Sequence, residues 1–126
     1  MATHDDLRRI ALALPETTEA SDRTAYSVAG KQFAWSWMER IEPKKPRVPN
    51  REVIAVRTAN ELEKQALLAM DSGVFFTEPH YDGYPAVLVR LAAIDQDLLE
   101  DVLVAGWRAK APRQLVATYD AGRRQD

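Results

Sequence analysis

The chain has 126 residues, 46% of them hydrophobic and 29% charged, with a formal net charge of −2, which suits one globular domain with a shared core. It contains no cysteine, which excludes disulfides, thiolate catalysis and cysteine-based zinc or iron–sulfur sites. No apolar run approaches the ~20 residues of a membrane helix, and Met1 to Asp6 lacks a signal peptide's apolar stretch. A cytoplasmic protein without a membrane partner is therefore expected, and a monomer is favoured.

Thr3 followed by Asp6 resembles a capping box. Leu7, Ile10, Ala11 and Leu14 recur at helical spacing until Pro15 stops the pattern, so a first helix is predicted over 4–14. The polar stretch 16–23 reads as a loop. Two β-rich runs, 24–28 and 32–38, flank Gly30 and make a hairpin. Alternation places Phe33, Trp35 and Trp37 on one face and Ala34, Ser36 and Met38 on the other. The aromatic face is expected against the core, with a ligand or a stacked nucleobase as the alternative.

Residues 39–51 carry prolines at 43, 46 and 49, which argue against a regular helix or a central strand and predict an exposed, partly extended loop. A strand follows over 53–57, then a helix capped by Asn60 with Glu63 at its third position and running to Met70. Strands are predicted over 74–77 and 85–91, separated by a polar and aromatic loop. Asp95 caps a third helix with an apolar stripe of Leu99, Val102, Leu103 and Gly106, with Trp107 beside it. Pro112 fits the first turn of a fourth, carrying Leu115, Val116 and Tyr119. One domain is expected over 1–121, with 122–126 as a frayed tail. The order predicts an α+β two-layer sandwich, a largely antiparallel sheet with helices packed on one face.

The charge is unevenly placed. Residues 31–57 hold seven Lys or Arg against three Glu, a net of +4, while the rest holds ten against sixteen, a net of −6. In that basic sector Lys31, Arg40, Lys44, Lys45, Arg47 and Arg51 are candidate phosphate contacts, each able to release a condensed counterion from DNA. The plainer reading is a solubilising loop, and Glu39, Glu42 and Glu52 dilute the patch. No helix carries a basic stripe for a major groove, so any binding is expected to be weak, salt-sensitive and independent of sequence.

The second candidate is the loop of His80, Tyr81, Asp82 and Tyr84 around Gly83, a residue that tolerates a positive φ angle. It reads as a small-ligand or protein-interaction site, or as a turn that caps the core. Glu78, His80 and Asp82 alternate, but a second nearby histidine is missing, so no metal is expected. No nucleophile elbow and no phosphate-binding glycine loop is present. A non-enzymatic domain without a cofactor is expected.

The run Phe-Thr-Glu-Pro-His-Tyr-Asp-Gly-Tyr-Pro-Ala-Val-Leu-Val-Arg-Leu over 76–91 is similar to the signature segment of the MmcQ/YjbR family. The stretch 13–19, the hairpin 30–34 and the segment from Trp107 to Leu115 extend the resemblance over nearly the whole chain, in order. It implies the bacterial frataxin (CyaY-like) fold and a bacterial source. It also implies a DNA-binding role, by likeness of that fold to a double-wing motif, and no catalytic residue to carry over.

Overall fold

The structure, a computed structural model, describes residues 1–124. It contains α1 (His4–Ala13), β1 (Thr17–Glu19), β2 (Ala25–Val28), β3 (Lys31–Glu39), β4 (Val48–Arg57) and α2 (Glu61–Met70). β5 (Phe75–Phe76), a 3-10 turn (Pro79–Tyr81), β6 (Ala86–Arg90), α3 (Gln96–Lys110) and α4 (Arg113–Arg124) follow. The six strands form one sheet in the order β1-β2-β3-β4-β6-β5, and every adjacent pair is antiparallel. The fold is the α+β sandwich expected.

Local chemistry fixes the helices. Thr3 and Asp6 form a reciprocal capping box at the start of α1, and the side chains of Asn60 and Asp95 accept the N–H groups of Glu63 and Leu98, each at 2.8 Å. These bonds satisfy donors that a helix start leaves without partners. Leu7, Ile10 and Ala11 of α1 join Leu99, Val102, Leu103 and Trp107 of α3 in the main core, over Tyr26, Val28, Ile54, Val56, Val87 and Val89 of the sheet. Leu67 and Leu68 of α2 and Leu115, Val116 and Tyr119 of α4 pack against the same core. All four helices therefore cover one face. Gly106 lets α3 approach closely, since a Cβ there would lie 2.9 Å from the Arg57 carbonyl and 3.0 Å from Val56.

Four local expectations change. The polar 16–23 loop contains β1, an exposed edge strand paired to β2. Phe33 does not share a face with Trp35 and Trp37. The β2–β3 register passes from Tyr26↔Ala34 to Ser27↔Gln32, and this bulge leaves Phe33 as the extra residue. Phe33 is fully buried in the helix-covered core, while Trp35 and Trp37 pack on the opposite face. The proline-rich stretch is not all loop, because β3 continues to Glu39 and β4 starts at Val48. Pro49 is tolerated because β6 pairs with β4 only from Val53 onward, so the outer part of β4 has one neighbour. Finally, α4 runs into the first three residues of the expected tail, as far as Arg124, and residues 125–126 lie outside the described residues.

Candidate functional site

The first candidate is the arm made by the outer ends of β3 and β4. Its register jumps from Ser36↔Ile54 to Met38↔Pro49, and Asn50 holds the jump together. The Asn50 side-chain oxygen accepts the N–H groups of Glu52 (2.8 Å) and Val53 (3.0 Å), and its amide donates to Glu39 at 2.9 Å. At the tip, Arg40 donates to the carbonyls of Pro43 (3.1 Å) and Lys45 (2.8 Å), and Arg47 donates to that of Met38 at 2.9 Å. Lys45 pairs with Glu42 at 3.1 Å. Two arginines thus brace the loop while keeping their charge, and Ile41 stands 71% exposed at the tip.

The predicted basic residues do not all meet. Arg40, Lys44, Lys45 and Arg47 share the arm, and Arg51 lies at its base, where its carbonyl contacts the His4 ring nitrogen. Lys31 opens β3, nine residues long, and Glu39 closes it. The two ends lie roughly 26 Å apart at the usual strand rise, so Lys31 belongs to another region. Its charge is felt instead by Lys110, whose ammonium pKa is lowered first by burial and then by the nearby Arg57 and Lys31.

The second candidate lies on the sheet face that no helix covers. Val53 and Ala55 of β4 and Ala86 and Leu88 of β6 form its floor, with Trp35, Trp37 and Phe76 packed against them and Tyr81 folded over. The aromatic rings meet edge-on or tilted. Centroids lie 6.5 Å apart for Trp35 and Tyr84, 5.7 Å for Trp37 and Phe76, and 6.1 Å for Tyr81 and Tyr84. Trp35 donates its indole N–H to the Tyr81 hydroxyl at 3.3 Å. Arg57 sits 5.0 Å over the Tyr84 ring and Arg90 4.0 Å over Phe76. Such contacts combine ring quadrupoles with partly desolvated cations. A concavity of about 270 Å³ opens between Trp35, His80, Tyr81 and Tyr84.

The loop from Pro79 to Pro85 has a fixed shape. Its 3-10 turn is closed by Tyr81 and Asp82 N–H groups donating to Glu78 and Pro79 carbonyls, and Gly83 takes φ +74°, the left-handed conformation expected of it. From α2, Lys64 reaches beneath the loop. It is 1% exposed, and its ammonium donates to the carbonyls of Tyr81 (2.6 Å) and Tyr84 (2.9 Å). Sequence reasoning missed Lys64, although the signal was present. It stands at helical spacing from Leu67 and Leu68, where an apolar residue belongs. Arg57 and Arg90 were missed as well. Each ends a strand with its side chain on the open face.

Burial raises the Tyr81 phenol above its ordinary value; the Trp35 N–H lowers it, and the nearby Glu78 carboxylate raises it further. The smallest influence on this phenol is the charge of Arg47 in the arm, which lowers it. Asp82 is exposed. Glu78, His80 and Asp82 do not form a ligand set, and no group of three metal-ligating side chains occurs among the described residues. A wider concavity of about 800 Å³ lies beside the base of the arm, bounded by His4, Asp22, Arg23, Trp35 and Arg51 among others. Among the described residues, no helix is long and apolar enough to cross a membrane.

A bare, aromatic sheet face backed by four helices places the chain among the α+β sandwich domains. A crystal structure of a Deinococcus radiodurans protein with a DUF419 domain has the same fold, with TM-score 0.61, 19% identity, and coverage of 85% of this chain and 77% of that one. No family model matches the sequence. Uncharacterised proteins of Mycobacterium tuberculosis and Mycobacterium bovis are 41% identical over 125 residues, 94% of this chain and 96% of theirs. The chain belongs to the same family as these mycobacterial proteins.

Proposed function

We propose that the chain is a non-enzymatic, cytoplasmic domain of the MmcQ/YjbR type that binds nucleic acid weakly and without sequence preference through its β3–β4 arm. The observation that carries this reading is the arm itself. Five Lys or Arg fall between Arg40 and Arg51 against one acid within that span, Glu42. Four of them lie in the loop that joins β3 to β4, which Arg40 and Arg47 brace, and Arg51 lies on β4. A stiff cationic ribbon meets phosphates with little ordering entropy to lose. The net charge of −2 opposes long-range attraction, so affinity at physiological salt is expected no tighter than about micromolar.

Fluorescence anisotropy of a labelled mixed-sequence duplex, titrated at low and near-physiological salt, tests the proposal. Binding that weakens steeply with salt, and is lost in a Lys44→Glu, Lys45→Glu, Arg47→Glu variant, supports it. Absence of binding at low salt removes it. A second reading, a small-ligand or protein-interaction module at the His80–Tyr84 loop, is favoured by the concavity between Trp35, His80, Tyr81 and Tyr84. That reading predicts binding with little salt dependence, lost on changing His80 or Tyr84.

A further inference from the structure

We infer that the slot between Trp35 and Tyr84 takes one unstacked base, so that the arm's preferred ligand is a single strand rather than a duplex. The inference rests on the nucleic-acid reading of the arm. The slot, about 270 Å³, holds a single planar ring system. A base paired and stacked in a duplex cannot reach it, whereas a base of a single strand is free to turn in.

Three features fit a base and its phosphate. Trp35 and Tyr84 meet edge-on at 64° and Tyr84 is 42% exposed, so a base would seat against the exposed Tyr84 ring with the Trp35 edge beside it. The Tyr81 hydroxyl accepts the Trp35 N–H, which leaves its own proton to donate to a base oxygen or nitrogen. A phenol keeps that proton at neutral pH, and burial holds it more firmly here. Arg57, 5.0 Å over the Tyr84 ring, adds a cation beside the slot. Arg47 of the arm is the cation whose charge reaches the Tyr81 hydroxyl, as the weakest influence on it, so the backbone of a strand held in the slot would run toward the arm. The loop's acids, Glu78 and Asp82, favour a backbone path on the Arg47 side.

The test compares two labelled strands of roughly 12 nucleotides, within the span of known single-strand sites. One is a mixed sequence and the other is an abasic strand of the same length and charge. The base-bearing strand is expected to bind roughly tenfold more tightly than the abasic one, the scale of one stacked base. Tyr84→Ala should erase that preference and leave abasic binding unchanged. Trp35→Phe keeps an aromatic surface but loses the bond to Tyr81, and should reduce the preference in part. Equal binding of both strands, or a preference that survives Tyr84→Ala, overturns the slot and leaves the arm reading standing. Failure of both strands to bind at low salt overturns the two together.

Discussion

The Lys64 ammonium lies 2.6 Å from the Tyr81 carbonyl oxygen, inside the protein and beneath the loop that closes the open face. The same group holds the Tyr84 carbonyl at 2.9 Å. One side chain thereby adds a second donor to two loop carbonyls that also accept the Tyr84 and Ala86 N–H groups, and ties the loop to α2. Lys64→Met keeps the volume and removes both donors. The Tyr84 and Ala86 N–H groups still donate to those carbonyls, so stability is expected to fall by about 1.5–3 kcal/mol, the worth of a hydrogen bond made by a charged group, measured by urea unfolding. Amide exchange in the 79–86 segment should rise more than in β4, because the loop loses its anchor.

The bulge at Phe33 separates two aromatic residues that alternation would join. Phe33→Ala should cost about 3–5 kcal/mol, because it empties the helix-covered core. Trp35→Phe should cost far less, since a half-buried aromatic on the open face keeps most of its packing. Similar losses in the two variants would contradict the assignment of these residues to opposite faces.

At Gly106 two effects oppose each other. Alanine in a helix interior gains about 1 kcal/mol over glycine, but its Cβ would meet the Arg57 carbonyl, a backbone atom that cannot swing away. Overpacking of this kind costs about 1–3 kcal/mol. Gly106→Ala is therefore expected to lower the urea midpoint, despite its better helix propensity.

Tyr26 donates to Glu19 at 3.1 Å, and its pKa is pushed up to about 12, mainly by burial and then by that carboxylate. The folded value lies above the ordinary 10.0. This stabilisation is therefore fully present below about pH 10 and is lost as pH rises toward 12. Unfolding midpoints followed from pH 9 to 12 should decline, with a shallower decline in Tyr26→Phe. An ultraviolet titration should show this tyrosine ionising well above the ordinary range.

Much of the fold is written locally. Thr3, Asn60 and Asp95 announce helix starts, and the Leu99, Val102, Leu103 stripe announces the face that α3 buries. What escapes sequence reading depends on partners distant in the chain. Thr17 to Glu19 is polar, with Thr18 and Glu19 exposed, and becomes a strand only because β2 lies beside it. Phe33 changes face because Ser27 pairs with Gln32. Three prolines mask an arm whose geometry comes from Asn50 and Arg47. The site was legible in its parts, namely the basic stretch and the His80–Tyr84 loop. Their link through Arg47 and Tyr81, and the buried Lys64, appear only in three dimensions.

The sheet ends on its two shortest strands, β1 with three residues and β5 with two. A passing extended chain would find few free backbone groups to zip onto at either border. The protein can therefore leave a part-exposed aromatic face without a helix over it while offering little edge for fibre-like growth at those borders. Sticky rings and a blunt perimeter together favour capture of a flexible guest over accretion of more copies.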